Sequence, residues 1–389
     1  MSLELRPLGV SCNLACRYCY QQPQRDAGNF RQPYDLDRMK AAAAKGGGPF
    51  VLFGGEPLLL PIADLEELWR WGFERYGRNS VQTNGVLVGD EHLRLFRRYN
   101  VDVGVSVDGP AELNDARQHR AAAKTRAATA KVHDTIARLA REWRPPGVIV
   151  TLHRGNAVAE HLPRMADWVR ELDALGVRGV RLHLLEVEDD EVRAELVLSA
   201  RENVEAVRFF TALQRELKSV RFDLVEDMTQ LLRGRDGKAS CVWGACDPYT
   251  TPAVQGVEGN GQSSNCGRTN KDGVDFTKAD AVGYERYLML HQTPQEHGGC
   301  RGCRFFLMCK GQCPGTAVDG DWRNRTEHCD IWTELFTGLE ADLVRAGEVP
   351  LSLSPDRERV EAAALAAWAA GRSARLEVLT REPAAQGAA

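Results

Sequence analysis

The chain has 389 residues, enough for two or three domains at roughly 100 to 200 residues each. Its 43% hydrophobic and 27% charged residues are those of a globular protein, and 50 Lys and Arg against 54 Asp and Glu leave a formal net charge of -4, which argues against a dedicated nucleic-acid binder. No apolar run reaches the roughly 18 residues of a membrane span, and the start MSLELRPLGVSC lacks a basic segment followed by an apolar one, so a cytoplasmic protein with no membrane partner is expected.

From residue 3 to about 217, apolar runs of strand length alternate with longer helical patterns. In chain order, strands are expected at 3–10, 49–53, 80–82, 101–107, 147–152 and 177–185, and helices at 36–45, 62–76, 91–99, 125–143, 159–175 and 201–218. Parallel strands need crossovers, so six such units imply an α/β fold with a parallel sheet, as a partial (β/α)6 TIM barrel or an open sheet. Ligands then belong at the carboxyl ends of the strands. From about residue 233 the chain is rich in Gly, Asn, Asp and Cys, as in GVEGNGQSSNCGRTNKDG, and is expected to need metal staples. A helix is expected at 331–346, a connector at 347–355, an Ala-rich helix at 356–379 and a frayed end at 381–389. The expected domains are 1–232, 233–335 and 336–389.

The chain carries 11 cysteines: Cys12, Cys16 and Cys19 near the start, and eight from Cys241 to Cys329. Clustered cysteines in a large cytosolic chain point to metal binding or catalysis rather than to a disulfide framework. CNLACRYCY follows the first expected strand, and three thiolates at this spacing can hold one face of an iron-sulfur cubane, leaving a fourth iron open. From the bare spacing, a zinc site completed by a distant residue and a redox pair of Cys16 and Cys19 stay open as well.

Cys12, Cys16, Cys19 and the aromatic Tyr20 resemble the CxxxCxxC signature of the radical S-adenosylmethionine (SAM) superfamily. The resemblance implies a 4Fe-4S cluster whose open iron chelates SAM and whose electron releases a 5'-deoxyadenosyl radical. FGGEP, Phe53 to Pro57, resembles the family's GGEP motif, with Gly54 and Gly55 letting backbone approach a ligand and Glu56 accepting from an ammonium. QTNG, Gln82 to Gly85, and VSVDGP, Val105 to Pro110, resemble two further strand-end motifs. Tyr18, Tyr20, Gly54, Gly55, Glu56, Pro57, Asn84, Ser106 and Asp108 are the cofactor-binding residues this resemblance implies, with Asp108 equally readable as a turn carboxylate beside Gly109. Asp115, Arg117, His153, Arg154, His183 and Glu186 also lie near expected strand ends, where a surface or core role is the simpler reading.

The later cysteines read Cys246-x14-Gly261-x4-Cys266, Cys300-x2-Cys303-x5-Cys309-x3-Cys313 and Cys329. This resembles the SPASM extension, which implies two auxiliary 4Fe-4S clusters, three clusters in all. By motif position Cys241, Cys246, Cys266 and Cys313 would hold one, and Cys300, Cys303, Cys309 and Cys329 the other. Two zinc ribbons on the same thiolates are the competing reading.

The resemblance implies an oxidoreductase that abstracts hydrogen from a peptide or protein and leaves a crosslink or an oxidised residue. Such a substrate is read by the cavity and tail directly or presented by a separate leader-binding protein, with flavodoxin or ferredoxin as electron donor. The alternatives are dehydrogenation of a small amino-sugar or cyclitol-like metabolite, and a non-catalytic iron-sulfur or zinc scaffold. Anaerobic sulfatase-maturating enzymes have an Asp after the Cys of the GX4C motif; here Gly267 stands there, so that role would pass to Asp272 or another carboxylate.

Overall fold

The computed structural model describes residues 2–28, 33–119, 121–187, 189–247, 249–250, 254–269 and 282–381. Asp272 and the stretch from 382 to the end lie outside the described residues.

The described chain forms two units, Met1–Asp223 with Val254–Thr277, and Leu224–Ala253 with Lys278–Ala389. The first is built on a nine-stranded sheet: β1 (Ser2–Arg6), β2 (Phe50–Leu52), β3 (Asn79–Thr83), β4 (Val101–Ser106), β5 (Gly147–Leu152), β6 (Gly179–Leu184), β7 (Arg221–Phe222), β8 (Val254–Glu258) and β9 (Ser263–Ser264). The order is β7-β6-β5-β4-β3-β2-β1-β8-β9, and every pairing is parallel except β8 with β9. Helices α1 (Leu36–Lys45), α2 (Ile62–Tyr76), α3 (Asp90–Arg98), α4 (Ala122–Glu142), α5 (Leu162–Ala174) and α6 (Ala200–Gln214) provide the crossovers that parallel neighbours require.

Local chemistry sets these boundaries. Asp35 caps α1 by accepting from the Arg38 N–H, and α1 buries Met39 and Ala43. Helix α2 buries Leu65, Leu68 and Trp69 and stops at Gly77, whose φ of 69 is the left-handed C-terminal cap. In β4, Val101, Val103 and Val105 are buried, so period two turns Ser106 to the other face. Register aligns Gln82 with Gly104, Ser106 with Ile149, and Thr151 with His183, so these residues share that other face.

Three features differ from the sequence reading. The expected division at 232/233 is interrupted, because Ser2 to Arg6 pair in register with Val254 to Glu258 and draw this segment into the first unit. Arg6, 2% exposed, reinforces the pairing with ion pairs to Glu4 at 2.6 Å and Glu258 at 3.1 Å. The expected 356–379 helix is two, Arg357–Ala369 and Leu376–Leu379, parted at Gly371 with φ of 66. The third is β7, which extends the sheet past the six expected strands.

The second unit contains α7 (Asp223–Leu232) from its second residue on, α8 (Glu285–Gln292), α9 (Cys329–Arg345) and α10 (Arg357–Ala369), with short turns between. Its core is aromatic: Trp243 lies edge-on to Trp332 at 5.4 Å and to Phe336 at 5.5 Å, and Tyr287 packs on Trp368 at 5.2 Å.

Candidate active site

The carboxyl ends of β2 to β6 converge on one cavity in the first unit, of about 1100 Å³ counting its open mouth. Phe53 follows β2, and Gln82 and Thr83 end β3; Ser106 ends β4, Ile149 and Thr151 lie in β5, and His183 and Leu184 end β6. Five successive strands can face one cavity only if the sheet curves, which is the partial-barrel form.

The loop after β1 brings Cys12, Cys16 and Cys19 to this wall together with Tyr18, Tyr20 and Gln21. It is tied down on several sides. Ala15 and Arg17 donate their backbone N–H groups to Gln118 and Ala116 at 2.8 and 2.9 Å. Glu56 donates its backbone N–H to Ser11 at 2.8 Å, and the Asn84 amide donates to Asn13 at 2.7 Å. Gln21 accepts from the Gly55 N–H at 3.0 Å.

Burial pushes the Cys16 thiol up to about 12 even though Arg117 pulls it down, and burial raises Cys12 too. Thiolates there need a cationic partner to form at neutral pH. Among the described residues no three His, Cys, Asp or Glu side chains close on a point tightly enough for a single ion. Three cysteines reach this one wall, and cysteine thiolates are the donors that hold an iron-sulfur cluster.

The other implied residues divide. Gly54, Gly55, Tyr18, Tyr20, Asn84 and Ser106 line the cavity. The two glycines also approach the chain's own backbone: a Cβ on Gly55 would meet the Ser11 carbonyl oxygen at 2.0 Å, and one on Gly54 the Gly9 oxygen at 2.8 Å. Glu56, Pro57 and Asp108 are not among the wall residues. Glu56 is 0% exposed and accepts from Leu58 N at 3.1 Å, Thr83 Oγ1 at 2.7 Å and Asn84 N at 2.7 Å. Its carboxyl clamps the β2 loop to the β3 loop. Burial raises its pKa to about 7 against the pull of those three donors.

Asp108, also 0% exposed, meets Arg117 Nε at 3.1 Å, accepts from Thr151 N at 2.9 Å and from the Tyr18 hydroxyl, and lies 3.7 Å from His153. Burial would raise its pKa, but Arg117, then His153 and Tyr18, hold it near about 2. Asp108 is therefore a buried anchor behind the wall, positioning Tyr18 and Arg117, which do line the cavity.

His183 and Glu186 also reach the wall, where they meet Arg268, a residue the sequence reading passed over. Arg268 pairs with Glu186 at 2.6 Å and lies 3.2 Å from His183 Nδ1. A guanidinium only donates, so Nδ1 accepts and the ring proton sits on Nε2. Burial and Arg268 hold His183 neutral, its pKa well below the usual value. The second oxygen of Glu186 is buried with no hydrogen-bond partner. By contrast, Asp115 pairs with Arg126 at 2.6 Å and Arg154 with Glu202 at 3.2 Å, both away from the cavity. Gln21 and Arg268 each follow a cysteine closely in sequence, and that adjacency was the available signal.

In the second unit Cys300, Cys303, Cys309 and Cys329 line a single small cavity with Phe305, Phe306 and Phe336. Burial pushes the Cys300 thiol up to about 12. Cys241, Cys246 and Cys313 belong to the second unit and Cys266 to the first.

The Radical SAM superfamily pattern matches residues 7–169. The serine-type anaerobic sulfatase-maturating enzyme of Klebsiella aerogenes is 28% identical over 369 residues, spanning 87% of this chain and 85% of its own. A cysteine-type anaerobic sulfatase-maturating enzyme of Clostridium perfringens is 29% identical over 129 residues, 30% of this chain and 35% of its own. Among solved structures, anSMEcpe with bound AdoMet and Cp18Cys peptide superposes with a TM-score of 0.65 at 18% identity, covering 89% of this chain and 98% of that one. Streptococcus suis SuiB bound to S-adenosylmethionine does so at 0.57 and 14%, covering 84% of this chain and 74% of that one. The matched domain, the shared fold and the relatives' sequences agree: residues 7–169 match the Radical SAM superfamily, and the chain is similar along most of its length to the anaerobic sulfatase-maturating enzymes.

Proposed function

We propose that the protein is a peptide maturase that oxidises or crosslinks a side chain or Cα carbon of a peptide or protein substrate. The observation that carries this reading is the single cavity on which three cysteines, the strand-end polar groups and the Glu186–Arg268 pair all open. The relatives named for sulfatase maturation, and the neighbour solved with a Cp18Cys peptide, support a peptide as the substrate class. In this reading Cys12, Cys16 and Cys19 hold the SAM-binding 4Fe-4S cluster, and the remaining eight cysteines hold two auxiliary clusters.

When bound, these groups supply a 5'-deoxyadenosyl radical and a path for the electron left after bond formation. The protein's own residues do the rest. Tyr18, fixed by Asp108, and Arg117 present a rigid polar edge beside the cysteine loop. Ser106 accepts from Gln82 at 2.9 Å, which orients its hydroxyl on the wall. Ile149, Leu184 and Leu185 form an apolar stretch that keeps water from a carbon radical. Gly267 leaves no carboxylate after Cys266, and a Cβ there would already meet the Tyr20 ring at 3.1 Å. Glu186, with one oxygen on Arg268 and the other unpartnered, is the wall carboxylate placed to take a substrate proton.

The test is anaerobic reconstitution with iron and sulfide, then dithionite and SAM. The protein should carry roughly twelve iron atoms per chain and release 5'-deoxyadenosine, and the triple Cys12, Cys16, Cys19→Ala variant should release none. Peptides encoded beside the gene should lose a hydrogen pair by mass spectrometry. Release that survived the triple substitution would refute the site.

A further inference from the structure

Two arginines stand against the cage of Cys300, Cys303, Cys309 and Cys329 with no carboxylate partner among the described residues. Arg325 is on the cage wall. Its Nη1 donates to the carbonyls of Gln295 and Gly299, the latter at 2.8 Å, while its Nε is buried with no hydrogen-bond partner. Arg286 is 0% exposed and donates only to backbone carbonyls and a phenol: Trp322 at 2.6 Å, Asn324 at 2.8 Å, Gln312 at 3.3 Å and the Tyr287 hydroxyl at 3.5 Å. Its Nη2 lies 3.6 Å from where a Cβ on Gly311, a wall residue, would sit. Arg304 shows the ordinary arrangement, paired with Glu340 at 3.0 Å.

A guanidinium is a permanent charge, and burying one without an anion is costly. No Asp or Glu lines this cage, so the anionic groups facing the half-buried Arg325 on its wall are the cage thiolates and whatever they hold.

We propose that Arg325 donates its Nε–H to a sulfur of the iron-sulfur cluster held by this cage, and that its charge, with Arg286 behind it, makes that cluster easier to reduce. The proposal rests on the reading of an auxiliary cluster at this cage. One-electron reduction adds negative charge to the cluster, and a fixed buried cation stabilises the reduced form more than the oxidised one. A hydrogen bond to sulfur works in the same direction. The cluster so placed is suited to accept an electron rather than to hold loops together passively.

The experiment is a redox titration of the reconstituted full chain followed by electron paramagnetic resonance, for wild type, Arg325→Gln and Arg325→Lys, with iron counted first. Wild type with only about four iron atoms would sink the cluster reading itself, before any variant is compared. With wild type loaded, a loaded Arg325→Gln should show one auxiliary midpoint more negative by a tenfold change in the reduction equilibrium or more, about 59 mV for one electron. Arg325→Lys, which keeps the charge, should lie closer to wild type. If Arg325→Gln loses that cluster while Arg325→Lys keeps it, the charge requirement also stands. An unchanged midpoint in loaded Arg325→Gln overturns the proposal, as does equal loss of the cluster from both variants with the fold intact by circular dichroism, which would leave Arg325 a carbonyl clamp.

Discussion

Two fully buried carboxyls sit within the same unit and behave oppositely, because one has a cation and the other has only neutral donors. Glu56 accepts from two amides and a hydroxyl, and burial still raises its pKa to about 7 from an ordinary 4.5. A group whose folded pKa is raised stabilises the fold below its unfolded pKa and loses that contribution as pH rises through the folded value. Wild type should therefore lose on the order of 3 kcal/mol between about pH 4.5 and pH 7 that Glu56→Gln does not lose. Denaturant midpoints of the two proteins across that range check this, and parallel curves would remove the buried carboxyl from the account. Asp108 is the reverse case: Arg117 keeps it ionised, so Asp108→Asn strands a buried guanidinium and should cost about 3 to 5 kcal/mol. Equilibrium unfolding measures it, and a loss below about 1 kcal/mol would mean that Arg117 finds water instead. Neither role was legible in the motifs, which gave the strand end but not the face. GGEP and SVDGP announce a ligand loop, yet their carboxyls turn inward to hold neighbouring loops.

At the scale of elements, α1 and α2 match their expected spans, since Asp35 and Gly46 bracket the first and Gly77 closes the second. Those stops are local chemistry written in a few adjacent residues. The pairing of β8 with β1 was not legible, because its partner residues are far apart in sequence and a short Gly-containing run carries no periodic signal. Arg268 and Glu186 were obscured in the same way: each is unremarkable until the sheet brings the two together. The β1 and β2 loops show how closely such elements interlock. A side chain on Gly55 would overlap the Ser11 backbone, and the φ of 50 adds strain of its own. Gly55→Ala should push the β2 loop off the cysteine loop and lose roughly four of roughly twelve iron atoms, while leaving the cage of Cys300, Cys303, Cys309 and Cys329 loaded. Iron analysis with the SAM-dependent change in the paramagnetic signal reads this out; full iron and an unaltered response to SAM would show that the contact is dispensable.

Across the whole molecule the two units are stabilised by different means. The first has a nine-stranded sheet whose buried Val and Leu residues form an apolar core. In the second, the described stretch from 293 to 328 holds only turns of three or four residues, at Gln295–His297, Phe306–Cys309, Pro314–Thr316 and Val318–Gly320. Three of the four cage cysteines lie in that stretch and the fourth opens α9. Burial raises the thiol pKa values of Cys300, Cys303 and Cys309, so without a metal group these side chains are protonated and give the turns no cross-link. Removing iron should therefore open 293–328 locally while 79–184 stays closed. In timed proteolysis, cleavage within 293–328 should accelerate by about tenfold or more on chelation, which corresponds to about 1.4 kcal/mol of easier opening. Cleavage within β3 to β6 should change little. If both regions were cut faster by the same factor, the metal groups would be supporting a single cooperative fold, and the first unit's core would not be self-sufficient.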